Sequence, residues 1–218
     1  MCLIIVCKDK IPSTKTMNQA NNTNSDGIGV AYRRKGKVVV RKGLNVKQAH
    51  KLLGKVKLPA IVHFRMATAG GDSKELIHPF VIDNNSNIKE LSYETTLPVL
   101  FQNGHYSDYN EKLLSFCVNN NIVVPTGPWS DTRAIALMTS ELGKGLLQLI
   151  NNSKFAVFSD TDLETFGDGW IEENGMMFSN KYFKPTKKWQ DESCKVLDTG
   201  FYGYYDYEGD VKKQWNSK

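Results

Sequence analysis

The period of apolar and polar positions changes several times along this chain. Leu3, Ile5 and Cys7 alternate with Cys2, Ile4 and Val6, and both sets are apolar. That is the pattern of a strand buried on both faces, so the sheet carrying Cys2 is expected to be an inner layer. From Ile11 to Ser25 the chain is polar and rich in Asn and Thr, which reads as a loop. Ile28 to Tyr32 and Val38 to Arg41 predict a hairpin around Gly36. Asn45 suits the N-cap of a short helix with Val46, Ala49, Leu52 and Leu53 on its apolar face and Gly54 closing it. Ala60 to Phe64 predicts a strand that ends in a polar, Gly-rich turn.

Further strands are expected within Phe80 to Ile82 and Ser92 to Gln102, separated by the turn chemistry of Asp83 to Asn87. Ser107 or Asp108 caps a helix running to Asn119. A longer helical region starts near Ser130-Asp131-Thr132 and runs to Ile150, with breaks at Gly143 and Gly145. Phe155 to Phe158 returns to strand, and Trp170 to Ser179 reads as a hairpin pivoting on Asn174-Gly175. From Tyr182 on, the pattern assigns nothing. Strands, then two helices together, then strands again make an α+β chain rather than an alternating βαβ one. Two sheets packed on each other with helices outside would bury the first strand on both faces.

Length and composition narrow the class. The chain has 218 residues, read as one domain over residues 1–218 with a sizeable core. No apolar run reaches membrane length and no cleavable leader is visible. Cys2, Cys7, Cys117 and Cys194 form no CxxC pair and no zinc spacing, so reduced thiols in a cytoplasm are expected and no metal site is read. The excess of 28 basic over 23 acidic residues leaves +5. Its densest patch, Arg33, Arg34, Lys35, Lys37, Arg41 and Lys42, lies about a hairpin tip and reads as a solvated face. Nucleic acid is not an expected partner.

Chemistry enters at the second residue. Removal of Met1 would leave Cys2 with a thiol and a free α-amine, a nucleophile and a base on one residue. Taken alone, Cys2 reads as a buried thiol at a strand start. Four other stretches bear on it. In His63-Phe64-Arg65-Met66-Ala67-Thr68-Ala69-Gly70, an arginine ending a buried strand suits a bidentate grip on a carboxylate, or is a surface arginine beside a turn. His78-Pro79-Phe80 by itself is a turn entering a strand. Gln102-Asn103-Gly104 is a turn signal that also sets an amide NH2 beside a backbone N–H, as an oxyanion hole requires. Ser130-Asp131-Thr132 is a helix cap, or an aspartate offered to an ammonium group.

Taken together and in this order, Cys2, Asp26-Gly27-Ile28-Gly29, Arg65 with Ala67-Thr68 and Gly70, His78-Pro79-Phe80, Asn103-Gly104 and Ser130-Asp131-Thr132 resemble the glutaminase domain of class II glutamine amidotransferases, members of the N-terminal nucleophile (Ntn) hydrolases. The resemblance spans Cys2 to Thr132. It implies a four-layer αββα sandwich of two antiparallel sheets. It carries the nucleophile to Cys2 and the oxyanion hole to Asn103 and Gly104. It assigns the substrate α-carboxylate to Arg65 and the α-amine to Asp131, and puts Thr68 in the substrate loop. Ala69 and Gln102 depart from the pattern, since many members carry His at both positions.

The activity so implied is hydrolysis of glutamine to glutamate and ammonia without a cofactor. The ammonia would go to a separate synthase subunit as partner. Two other readings stand beside it: an Ntn amidohydrolase for a different amide, and a non-enzymatic binding protein on the same fold. The pairing of Arg65 with Asp131 argues against the first, and intact Cys2, Asn103 and Gly104 argue against the second. His63 and His78 read as structural histidines, His50 and His105 as helix or loop positions. The aromatic cluster Phe201, Tyr202, Tyr204, Tyr205 and Tyr207 reads as a tail docked on the core or a partner surface. Residues Thr68 to Lys74 read as a mobile flap. The Asn- and Lys-rich composition suits a phage or a low-GC bacterium.

Overall fold

The computed structural model describes residues 2–67, 71 and 73–184. Thr68, Ala69 and Gly70 of the substrate loop, and the aromatic stretch 201–207, lie outside the described residues. Two antiparallel sheets make the frame. The larger runs β10-β11-β1-β4-β2-β3-β6, from Ile171–Glu173 (β10), Met176–Phe178 (β11), Leu3–Cys7 (β1), Ala60–Phe64 (β4), Ile28–Arg34 (β2), Lys37–Leu44 (β3) and Ser92–Thr95 (β6). The smaller runs β5-β7-β8-β9, from Phe80–Val81 (β5), Val99–Asn103 (β7), Lys154–Phe158 (β8) and Leu163–Phe166 (β9).

Strand alternation divides the side chains into three apolar layers. Leu3, Ile5, Val30, Val62 and Phe64 pack under Met17 and Ala20 of α1 (Thr14–Thr23) and Ala49 and Leu53 of α2 (Val46–Leu53). Ile4, Val6, Ala31 and Ile61 of the large sheet meet Val99, Phe101, Ala156 and Phe158 of the small one. Leu100, Phe155 and Val157 pack against Leu113 of α3 (Tyr109–Asn119) and residues 134–138 of α4 (Asp131–Leu142). Three apolar layers between four structural ones make the αββα sandwich. Every residue of β1 is buried, because one face of the strand looks at helices and the other at the second sheet.

Both hairpin turns form where sequence places them. Lys35-Gly36 and Asn174-Gly175 all take positive φ, as two-residue hairpin loops demand. Asn45 caps α2 in a full capping box with Gln48. Gly143, at φ +77, ends α4 before the short α5 (Leu146–Leu149).

Three expectations are corrected. The stretch from Ile11 to Ser25 is not a loop throughout, since Thr14–Thr23 is helical and Ser13 Oγ accepts from Thr16 N. Only Met17 and Ala20 of that helix are buried, too narrow a stripe to show as a helical period. β9 was not expected at all. Lys42 does not belong to a solvated face: it is 5% exposed, its ammonium lying 4.7 Å from the Phe80 ring centre and donating to Glu75 O at 3.3 Å. Among the described residues no helix is long and apolar enough to cross a membrane.

Candidate active site

The sheets bring one set of strand ends together. Leu3 pairs with Phe64, so Cys2 at the start of β1 lies beside Arg65 and Met66 at the end of β4. Met66 N donates to Cys2 Sγ at 3.4 Å, and the thiol lies 3.5 Å from Met66 O. Asn180 Nδ2 donates to the Cys2 carbonyl at 2.7 Å. The half-buried thiol is pushed above its ordinary pKa of 9.0 by burial, which outweighs the opposing pull of the Met66 N–H and the Arg65 charge. At neutral pH it is a thiol and needs a base to react.

The turn carrying Arg65 is tied to the start of β2. Asp26 N donates to Arg65 O at 3.0 Å, Arg65 N to Gly27 O at 2.9 Å, and Ala67 N to Asp26 Oδ2 at 2.7 Å. Arg65 is 3% exposed, and its guanidinium donates to Gly71 O at 2.7 Å and Ser73 O at 3.4 Å. Asp131 opens α4, where Ser130 Oγ accepts from Arg133 N at 3.2 Å. Its carboxylate accepts from Thr132 N at 2.8 Å and Tyr106 N at 3.1 Å, and His105 Nδ1 lies 3.8 Å away. The helix N-terminus favours that negative charge.

The end of β7 supplies three consecutive residues with different surroundings. Gln102 is 1% exposed and engages all of its polar groups. Its N–H donates to His78 Nδ1 at 3.3 Å and its carbonyl lies 3.2 Å from His63 Nε2. Its side chain accepts from Thr132 Oγ1 at 2.7 Å and donates to Ser153 Oγ at 3.2 Å. Asn103 points the other way. Its NH2 donates to Ser179 Oγ at 2.9 Å, the same hydroxyl that receives Ile4 N at 2.9 Å, and its buried Oδ1 has no hydrogen-bond partner among the described residues. At Gly104 a Cβ would strike the side chain of Ser153 and stand 2.7 Å from its Cα, so the close passage of the two chains requires glycine.

His63 and His78 stack with ring centres 4.0 Å apart. Burial holds His63 neutral, with its pKa pushed down to about 3, and drives His78 well below the usual range. Gly29 makes the approach possible, since a Cβ there would collide with His78 O. Neither ring is charged at neutral pH.

Cys2, Arg65, His78, Gln102, Gly104 and Asp131 thus line one cleft, which encloses about 20 Å³. That is room for about one water, so a glutamine side chain enters only as the cleft widens. Asn103 lies instead on the wall of a second cavity, and Thr68 is outside the described residues. Sequence reasoning missed Ser179 and Asn180, which hold Asn103 and Cys2. Their only signal is the hairpin that pairs β11 with β1.

No family model matches the sequence, and no curated protein matches it. Among solved structures the chain is similar to the allosteric regulatory enzyme of purine biosynthesis, at a TM-score of 0.56 and 18% identity over 82% of this chain. It spans 41% of the length of that enzyme. The likeness shows the fold, an αββα sandwich of two antiparallel sheets.

Proposed function

We propose that this protein is a glutamine-hydrolysing enzyme of the class II amidotransferase type, with Cys2 as nucleophile after release of Met1. One observation carries the reading: a thiol, a buried arginine and a buried aspartate from three distant segments line the same cleft. An arginine and a carboxylate flanking a nucleophile read the two charged ends of an α-amino acid. The enzyme whose fold this chain shares is the allosteric regulatory enzyme of purine biosynthesis.

The freed α-amine of Cys2 has an unperturbed pKa of about 7.7–8.0, near enough to neutrality to serve as base and then acid. It takes the thiol proton as Sγ attacks the amide carbon of glutamine. The tetrahedral oxyanion forms toward Gly104 and Asn103, the latter after its NH2 leaves Ser179. Collapse expels ammonia with the same proton and leaves a thioester, and water then releases glutamate and restores the thiol. Arg65 would exchange its carbonyl partners for the substrate carboxylate, and Asp131 would take the ammonium. Thr68 belongs to the loop over the substrate. The ammonia goes to a separate synthase. A pull-down from the native host, with glutaminase assays before and after adding the recovered protein, tests that partner; turnover unchanged by any partner would remove it.

The direct test uses a diazo-ketone analogue of glutamine and intact-mass measurement. Mature protein should lack Met1 and gain one analogue, mapped to Cys2, and Cys2→Ala should fold but lose turnover. Labelling at Cys7, Cys117 or Cys194, or activity in Cys2→Ala, would overturn the assignment. Hydrolysis of a simple amide with no preference for the α-amino acid would favour a different Ntn amidohydrolase.

A further inference from the structure

A second hollow, lined by Asn103 at the end of β7, measures about 820 Å³, a size typical of ligand sites at roughly 300–1,000 Å³. Of its lining residues, the chemistry proposed for Cys2 uses Asn103 alone. Its walls are mostly uncharged and hydrogen-bonding: the side-chain amides of Gln148, Asn151, Asn152 and Asn180, with the hydroxyls of Ser153 and Ser179. The amides of Gln148, Asn151 and Asn152 each carry donors and an acceptor, which matches hydroxyl groups that do both, while that of Asn180 already donates to Cys2 O and accepts from Tyr182 N. Leu147 and Ile150 add an apolar strip.

Charge in the hollow is balanced and partly engaged. Among the described residues Lys154 is the cation of the wall, and its ammonium already donates to Gly169 O at 2.8 Å and Ser179 O at 2.7 Å. Asp168 opposes it. A phosphate or carboxylate would meet one engaged ammonium and one carboxylate, whereas a neutral hydroxylated molecule meets amides and an apolar strip. A second, independent observation concerns Asn103 on the same wall. It is 6% exposed, and its Oδ1 is a buried acceptor without a hydrogen-bond donor among the described residues, a cost of about 1–3 kcal/mol when left unmet.

We propose that this hollow is a binding site for a small neutral carbohydrate, whose occupancy is felt at the Cys2 cleft. The coupling follows from shared residues. Ser153 receives the Gln102 side chain at 3.2 Å, Ser179 receives the Asn103 amide at 2.9 Å, and Asn180 holds the Cys2 carbonyl at 2.7 Å. Sugar hydroxyls bonding to these three compete for the bonds that fix the nucleophile and the end of β7. Freeing Ser179 from Asn103 also frees the amide NH2 that the proposed oxyanion hole requires. The binding claim stands apart from the reaction assigned to Cys2 and is measured on Cys2→Ala as well as wild-type protein.

The experiment is NMR titration with N-acetyl-D-glucosamine, maltose and myo-inositol, using inorganic phosphate as the charged control. At least one of the three neutral probes should saturate and shift the backbone amides of Ser153 and Asn180. Gln148→Trp, which fills the hollow from its exposed rim, should weaken that binding by about tenfold or more at an unchanged melting temperature. The binding probe should alter KM or kcat for glutamine in wild-type protein and leave both unchanged in Gln148→Trp. Silence of all three neutral probes overturns the proposal. So does equal binding by Gln148→Trp, or displacement by phosphate. Binding at the hollow with glutamine kinetics unmoved overturns the coupling and leaves the carbohydrate site standing.

Discussion

Two hollows lie beside the end of β7, and they are built on opposite rules. The cleft at Cys2 encloses about 20 Å³ and the second cavity about 820 Å³. The cleft wall carries buried charge, with Arg65 at 3% and Asp131 at 5% exposure. The cavity wall is mostly neutral amide. Gln102 and Asn103 show the contrast within two residues. Strand alternation turns Gln102 toward α4, where every polar group is engaged, and Asn103 toward the inter-sheet layer, where Oδ1 has no partner among the described residues. A charged reading site must be held from several sides to offset desolvation, whereas a neutral recognition site can leave groups waiting.

The sharpest way to break this contrast is Gln102→Met, which keeps the volume and removes the bonds to Thr132 and Ser153. Those bonds join the Asp131 end of the cleft to the Gly104 end. The expected outcome is a drop in kcat/KM for glutamine of about 100-fold, most of it in kcat, because a misplacement near 1 Å costs that order. A fall confined to melting temperature, with kcat intact, would mean that Gln102 supports the fold alone.

Acid should act on the cleft side before the cavity side. His63 is held neutral with its pKa at about 3, against an ordinary 6.5, and His78 is shifted in the same direction. Between those values the unfolded chain binds more protons than the folded one, so stability is full above pH 6.5 and falls as pH falls toward 3. At pH 5 the loss from His63 is about 2 kcal/mol, and His78 adds to it. Urea unfolding at pH 7.5 and 5.0 reads the difference, and a double His63→Gln, His78→Gln variant should flatten it.

Gly104→Ala probes the wall itself. The new methyl meets Ser153, whose Cα stands 2.7 Å from the Cβ position, so about 2–3 kcal/mol of stability should be lost. Ser153→Gly in the same chain should restore part of it, because the side chain leaves and the Cα stays. Full restoration would show that the two chains pass less closely than they do here.

What sequence could show of this arrangement follows its range. Hairpin turns and caps are local, so Lys35-Gly36, Asn174-Gly175 and Asn45 were legible in a few residues each. α1 was not, because two buried residues in ten leave no period. β9 was not, because all four of its residues are half-buried at a sheet edge and show no alternation. Cys2, Arg65 and Asp131 were legible through their likeness to a family pattern, not through spacing, since β1, β4 and α4 meet only in three dimensions. Ser179 and Asn180 have no such signal. The opposite facing of Gln102 and Asn103 was implicit in strand alternation, but it needs the layers on each side of β7 before it says which wall each residue serves.

A pair of lysines offers the finest test of the contrast. Lys154, on the cavity side, donates to two carbonyls at 2.7 and 2.8 Å. Lys42, beside Glu75 and Phe80, donates to one carbonyl at 3.3 Å and is otherwise faced by the Phe80 and Tyr93 rings. Burial, with the Arg133 charge adding to it and Glu75 opposing, pushes the Lys42 pKa down from 10.5 to about 7. The unfolded chain therefore binds more protons between pH 7 and 10.5, and stability should rise with pH across that window. Lys42→Met keeps the stem that packs on the rings and removes the buried amine. It should gain about 1–2 kcal/mol at pH 7 and lose the rise toward pH 10. Urea midpoints at pH 7 and 9.5 for both proteins measure this directly. A destabilised Lys42→Met would mean that the single long bond to Glu75 O outweighs the cost of burial, and that charge is held as firmly on this flank as at Arg65.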